Sequence, residues 1–447
     1  MSILIYGLNL LVLAGLVWWL WKQDWNQQLR AFFFPALLLK LACGLLIGVL
    51  SFYVFDKGDT QLYYKRALLM TEMAQEQGVG TYLRYLFFND PVGTPLEGLQ
   101  RPFYESAWNM PRLLSVPMLL TNGNYYLSSL YLSLFSFAGL WFFVNAMSRY
   151  FTATTIPAVV AFLLFPSVVY WSSGVLKESV LMGGMGLLLG SSLYLLFGKL
   201  RRKPVLYLFL FVLGLYLIWL VKYFVAVALV LMLALVLLLK IIFYNPKLAR
   251  LHWLPKLLVL LFLFSGIAFL GTQLNPNLHL EVLPDVVYLN YQTSLIASQG
   301  KPRIDFPFLE PTYLSFALHS QLAFIGMLFR PFIWEVYNVR TFAAALENTV
   351  LLLLTFGFLR DLFEEGRVKW RHGYLLTAVL VFVFVMGVLL AYSMPNLGTL
   401  SRYRVVVLPF VVYLLLLCKT NSSLLSYLLP ICQRQQEEDE PTQIAAD

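Results

Sequence analysis

Long apolar stretches dominate the chain, and many approach the roughly 20 residues that cross a bilayer as a helix. Eleven spans are read, at 3–21, 33–55, 126–147, 154–171, 180–198, 205–221, 223–243, 257–272, 342–359, 374–393 and 405–419. The runs are continuous and do not alternate in polarity, which excludes a transmembrane barrel. The expected fold class is therefore all-α, a polytopic transmembrane helical protein with surface helices in its long loops. The run 205–243 is interrupted only by Lys222. As one helix it would measure about 58 Å, so it is expected to fold as a hairpin with Lys222 near the apex. Segment 313–329 is apolar but carries His319 and Gln321 and ends at Arg330-Pro331. As a span it would invert everything after it, so it is read as a helix lying on the membrane surface.

Charge orients these spans. Basic residues gather in one set of connections: Lys22 and Arg30; Arg149; Lys199, Arg201, Arg202 and Lys203; Lys247, Arg250 and Lys256; and Arg360, Arg367, Lys369 and Arg371. The intervening short turns hold only Lys177 and Lys222. The positive-inside rule places the first set in the cytoplasm. The first span then reads as an uncleaved anchor with its N-terminus outside. Two long segments, 56–125 and 273–341, fall outside. Asp59 is placed to cap a helix in the first of these and Gly78 to end it, with a second helical stretch at Thr81–Phe88. The expected organisation is an N-terminal span and loop (1–31), a main transmembrane domain (32–419) and a polar, largely disordered tail (420–447).

Composition narrows the class. Of 447 residues, 60% are hydrophobic and 12% charged, and the mean hydropathy is +0.73. Soluble chains carry about 25% charged residues, so a cytosolic enzyme, a disordered chain and a disulfide scaffold are all excluded. The net charge of +9 is scattered over short loops, which argues against nucleic acid as a partner. The three cysteines and four histidines have no metal-ligand spacing.

Several polar residues stand out against this background. Asp56 and Asp59 follow the second span, three residues apart and on one side of a helix. A half-shielded carboxylate there can act as a general base; equally, Asp59 can serve only as a cap. Lys177-Glu178 occupies the turn from Trp171 to Ser179, at the expected outer boundary, where unpaired charge is costly. Outer cations are Lys177, Lys222, Arg330, Arg340, Arg402 and Arg404. Such a set suits a phosphate group, or else separate headgroup contacts. Arg402 and Arg404 lie about 200° apart on a helix, so at most one faces a given site. Lys40 is expected to snorkel toward the inner surface, and Gly186-xxx-Gly190 to pack helices closely.

Together these features resemble the GT-C superfamily of membrane glycosyltransferases, including its mannosyltransferase-like members. The resemblance rests on Gly58-Asp59 with Tyr63 after an early span, on Glu178 in a short loop after Phe165-Pro166-Ser167, and on Ser401-Arg402-Tyr403-Arg404 before a last span containing Pro409. It covers roughly 33–419. The added N-terminal span departs from the simplest layout. The single acid of the short loop leaves a divalent metal as an open cofactor. The resemblance implies sugar transfer from a polyprenyl-phosphate carrier to a glycan, lipid or protein acceptor on the outer face of a bacterial inner membrane. Asp59 would be the base and Glu178 a second acid. Lys177, Lys222, Arg330, Arg402 and Arg404, with Tyr63, would bind donor and lipid phosphate. Two other activities stay open: a polymerase or ligase of lipid-linked glycans, and a flippase or transporter of lipid-linked saccharide.

Overall fold

A computed structural model describes residues 2–54, 58–88, 106–198, 203–245, 252–336, 338–365 and 373–428. These residues are almost wholly helical and hold no strand, apart from one isolated bridge between Arg303 and Asn396. Eight helices are long and apolar enough to cross a membrane. Three differences account for the distance from eleven. Segment 154–171 is not one helix but α7 (Thr155–Val159), a π-turn over Val160–Leu164, and α8 (Pro166–Trp171). Pro166 has no N–H to donate, so it starts a new helix instead of continuing the old one. The run 205–243 forms two helices that meet at a non-helical Lys222 (φ −150°, ψ 83°) and counts once among the eight; the break falls where the charge predicts it. The last apolar stretch is a pair of short helices bent by 66°.

The chain divides into two compact units, Met1–Tyr223 and Phe224–Asp447. In the first, α1 (Ser2–Trp21) and α2 (Gln27–Tyr53) lead to α3 (Asp59–Glu76), α4 (Val79–Phe88) and α5 (Ser106–Leu120). There follow α6 (Tyr125–Tyr150), the α7–α8 segment, α9 (Lys177–Phe197) and the first half of α10 (Pro204–Tyr244). Gly78, at φ +90°, closes α3 in a conformation natural to glycine.

Contacts fix the relative directions of these helices. Gly48 and Gly44 of α2 meet Tyr125 and Ser133 of α6, while Asn26 donates its N–H to Asn145 Oδ1 at 2.8 Å, so α2 and α6 are antiparallel. Gly183 and Gly190 of α9 meet Phe135 and Phe142 in the same order, so α9 runs parallel to α6. Gly214 and Lys222 of α10 meet Gly184 and Glu178 in reversed order. Tyr6 of α1 and Asp24 just beyond its end pair with Asn124 and Arg149, so α1 runs parallel to α6. Thr155 and Ser172 meet Gln28 and Lys40, so α7–α8 runs with α2. These directions alternate as the charge pattern requires.

The α6–α9 seam is built from glycine. A Cβ on Gly139 would lie 2.2 Å from the Gly183 carbonyl oxygen, and one on Gly186 would lie 2.2 Å from the Gly139 carbonyl carbon. Backbones touch there, as the Gly186-xxx-Gly190 spacing predicts, and dispersion between them replaces side-chain packing.

The second unit holds α11 (Trp253–Thr272), α12 (Leu283–Ala297), α13 (Tyr313–Phe329), α14 (Val339–Glu365), α15 (Gly373–Ser393), α16 (Leu397–Tyr403), α17 (Leu408–Leu416) and α18 (Lys419–Leu428). Segment 313–329 forms a 17-residue helix. Met327 and Phe324 on it pack around Gly387 of α15. The start of the expected polar tail is ordered: Asn421 is buried and donates to the Leu354 and Leu415 carbonyls, and Thr420 N–H donates to Asp361 at 2.7 Å. Residues 429–447 lie outside the described residues.

Candidate functional site

The turn after α8 does not reach the end of the bundle. Ser172 accepts from Lys40, and Gly174 sits against Gly44, whereas α2 continues to Tyr53. Nine further residues of helix amount to about 14 Å, so Lys177 and Glu178 are recessed below the end of α2. Breaking the 154–171 stretch shortens its climb, and α3 and α5 fill the space above. Lys40 does not snorkel: it is 3% exposed and donates to the Ser172 hydroxyl, which in turn donates to the Val168 carbonyl.

One apolar cluster joins all the parts at this level. Tyr63 and Ala67 of α3, Met110, Leu114 and Met118 of α5, Tyr125 and Leu132 of α6, Val175 and Val180 around the turn, and Val221 of α10 pack together. Three charged groups lie within this frame. Lys177 places its ammonium 5.6 Å from the centre of the Tyr63 ring, a cation–π contact. Glu178 is fully buried and accepts from Lys222 at 3.0 Å. Lys222 is 6% exposed. Its extended backbone interrupts α10, and the nearby Leu220 carbonyl accepts from the Asn109 side chain at 2.9 Å. Arg112 donates to Asn109 Oδ1 at 3.0 Å and to the Leu86 carbonyl. Burial lowers the pKa of Arg112 against the raising influence of Tyr85 and Tyr216.

Asp59 opens α3 as its first residue; the cap position itself is Gly58, which makes no side-chain capping bond. Asp59 is exposed, whereas Tyr63, one turn on and on the same face, is buried. Asp56 lies outside the described residues, as does the side chain of Arg340. Tyr63, Lys177, Glu178 and Lys222 are thus brought together, with Asp59 one turn above them.

The remaining cations belong to the second unit, where each has its own surroundings. Arg330 donates from Nε to Glu335 at 2.8 Å. Burial opposes ionisation of Glu335, but Arg330 and the Phe332 N–H outweigh it and hold the carboxyl below its ordinary value. Arg404 is 1% exposed, paired with Glu347 at 3.1 Å and donating to the Leu328 carbonyl. Arg402 is half-buried over the Tyr403 ring. The two arginines diverge, as their spacing predicts. Among the described residues no group of three or more His, Cys, Asp or Glu side chains is placed to hold a metal ion.

Comparison with known families, with curated proteins and with solved structures finds no match. The Glu178–Lys222 pairing, the cap by Asn109 and the burial of Lys40 have no local sequence signal. Each joins residues far apart in the chain. Only the cost of leaving a charge in an apolar run hints that a partner exists.

Proposed function

We propose that the chain is an integral membrane glycosyltransferase that moves a sugar from a polyprenyl-phosphate carrier to an acceptor hydroxyl on the outer face of the membrane. The observation that carries this reading is the junction of α3 with the recessed turn: Tyr63 lies against Lys177, and Asp59 precedes it by one helical turn. Asp59 takes the proton of the acceptor hydroxyl. The acceptor oxygen attacks the anomeric carbon from the face opposite the carrier phosphate. The bond from that carbon to the phosphate oxygen breaks, its electron pair stays with the phosphate, and the configuration inverts. Lys177 stabilises the negative charge as it develops, which is usually the larger catalytic contribution.

Glu178 has a different role from the one its acidity suggests. Buried and paired with Lys222, it fixes the turn that presents Lys177 and makes no contact with substrate. Arg402 is the second unit's candidate for a lipid headgroup. The carrier and a glycan, lipid or protein acceptor are the partners. A bacterial inner membrane, with the Asp59 end facing the periplasm, is the setting that the resemblance and the charge pattern favour.

A second reading has one observation behind it. Interrupted helices inside a bundle, as at Val160–Phe165 and Lys222, are common in transporters, which favours a translocator of lipid-linked saccharide. The deciding experiment reconstitutes the full chain with a radiolabelled polyprenyl-phosphate hexose and a membrane glycolipid extract. The wild type is expected to transfer label. Asp59→Asn is expected to lower the rate by about 10²–10⁴-fold with the fold retained. Unchanged transfer by Asp59→Asn removes the proposed base.

A further inference from the structure

Beneath α4, the faces of α3 and α5 carry a group of hydrogen-bond donors that sugar transfer does not use. Arg66 lies with its guanidinium 5.1 Å from the centre of the Trp108 ring. Trp108 is 3% exposed, and its indole N–H has no acceptor. One helical turn further along α5, Arg112 uses two nitrogens on Asn109 and the Leu86 carbonyl, but its Nε is buried with no acceptor. Nη1 of Arg66 is in the same condition. Among the described residues neither guanidinium has an ion-pair partner.

Three buried donors without acceptors, on two neighbouring helices, are uncommon in a folded protein. Leaving such a group unmet is costly, and more so for a charged one. Arg66 stands over Trp108, and Arg112 follows Trp108 by one turn on α5; among the described residues no carboxylate pairs with either cation, so both carry unbalanced positive charge. An oxyanion answers both conditions at once. It supplies acceptor lone pairs in several directions and cancels the positive charge. Guanidinium groups match a phosphate in shape as well as charge, and a dianion balances two cations where a carboxylate would leave one over.

We infer that Arg66, Trp108 and Arg112 form an oxyanion site on α3 and α5 that binds a phosphate monoester. The site uses none of the side chains of the Lys177–Tyr63 junction and stands whether or not the chain transfers sugar. The phosphate can come from a lipid headgroup or from a soluble molecule, and the test distinguishes the two.

The full chain, labelled with 5-fluorotryptophan, is placed in phosphatidylcholine nanodiscs and followed by fluorine NMR. The Trp108 resonance is assigned by its loss in Trp108→Phe. Inorganic phosphate is titrated in one arm, with chloride at matched ionic strength as the control, and phosphatidic acid is incorporated in the other. A saturable shift of the Trp108 resonance is expected in at least one arm: with inorganic phosphate for a soluble ligand, with phosphatidic acid alone for a lipid. Arg66→Gln and Arg112→Gln are each expected to weaken the apparent affinity about tenfold or more. Arg112→Lys, which keeps the charge but loses the planar fork, should weaken it as well. No shift in either arm, or an equal shift with chloride, overturns the site. So does unchanged affinity in both glutamine variants.

Discussion

Removing one member of the Glu178–Lys222 pair should be among the most damaging single changes in the first unit. Glu178 is fully buried, Lys222 is 6% exposed, and their charged atoms are 3.0 Å apart. Glu178→Gln removes the carboxylate that faces the Lys222 ammonium in an apolar frame that includes Val180 and Val221. Lys222→Met removes the ammonium instead. Breaking a buried pair from either side typically destabilises by about 3–5 kcal/mol. Replacing both members together, as Glu178→Gln with Lys222→Met, removes the desolvation of both ions and should recover most of that loss. Denaturant unfolding of the four proteins in one detergent, analysed as a double-mutant cycle, reads the coupling directly. Two costly single variants with a mild double variant are expected. Single variants within about 0.5 kcal/mol of wild type, the range of ordinary surface changes, would refute the assignment of a buried, coupled pair.

Further outcomes follow from other contacts. Gly139→Val should force α6 and α9 apart, because even a Cβ meets the Gly183 carbonyl at 2.2 Å; a destabilisation of at least about 1–3 kcal/mol is expected, seen as a lower unfolding midpoint, whereas Gly266→Ala, with open space around it, should be tolerated. Glu335 has a folded-state pKa held below its ordinary 4.5, so its contribution is present above about that pH and is lost as pH falls through the folded value. Acid unfolding should therefore steepen in the wild type and flatten in Glu335→Gln; identical acid limbs would contradict the Arg330–Glu335 clasp. With the native cysteines replaced, a cysteine at Glu76 should react with an impermeant maleimide from the outer side of sealed vesicles and one at Asp24 only from the inner side. The opposite pattern would invert the proposed orientation.

Much of the architecture can be read along the chain because the bilayer imposes a local rule. Apolar runs near 20 residues mark the long helices, and Lys222 marks the break in α10 because a charge cannot sit in an apolar run without consequence. The Gly186-xxx-Gly190 spacing marks the α6 contact for a similar local reason. Pro166 also carried a readable signal, a residue that starts helices, but hydrophobicity alone carries the run 154–171 straight through it. The site is less legible. That Glu178 finds Lys222 44 residues later, and that Lys40 finds Ser172, are choices made by packing. A carboxylate in a turn looks the same in sequence whether it meets a substrate or neutralises a buried lysine. Arg66 and Arg112 carry no signal in the sequence, because cations on loop helices look like ordinary solvated residues until their burial is known.

The most direct test of the central proposal follows both ends of the donor molecule at once. Proteoliposomes carrying the full chain, a polyprenyl-phosphate hexose labelled in the sugar, and acceptor glycolipid are assayed for free polyprenyl phosphate and for label on the acceptor. Sugar transfer predicts that the two products appear in equal amounts and that both fall in Asp59→Asn. Intact donor moving between leaflets, with neither product formed, would contradict it and identify a translocator instead.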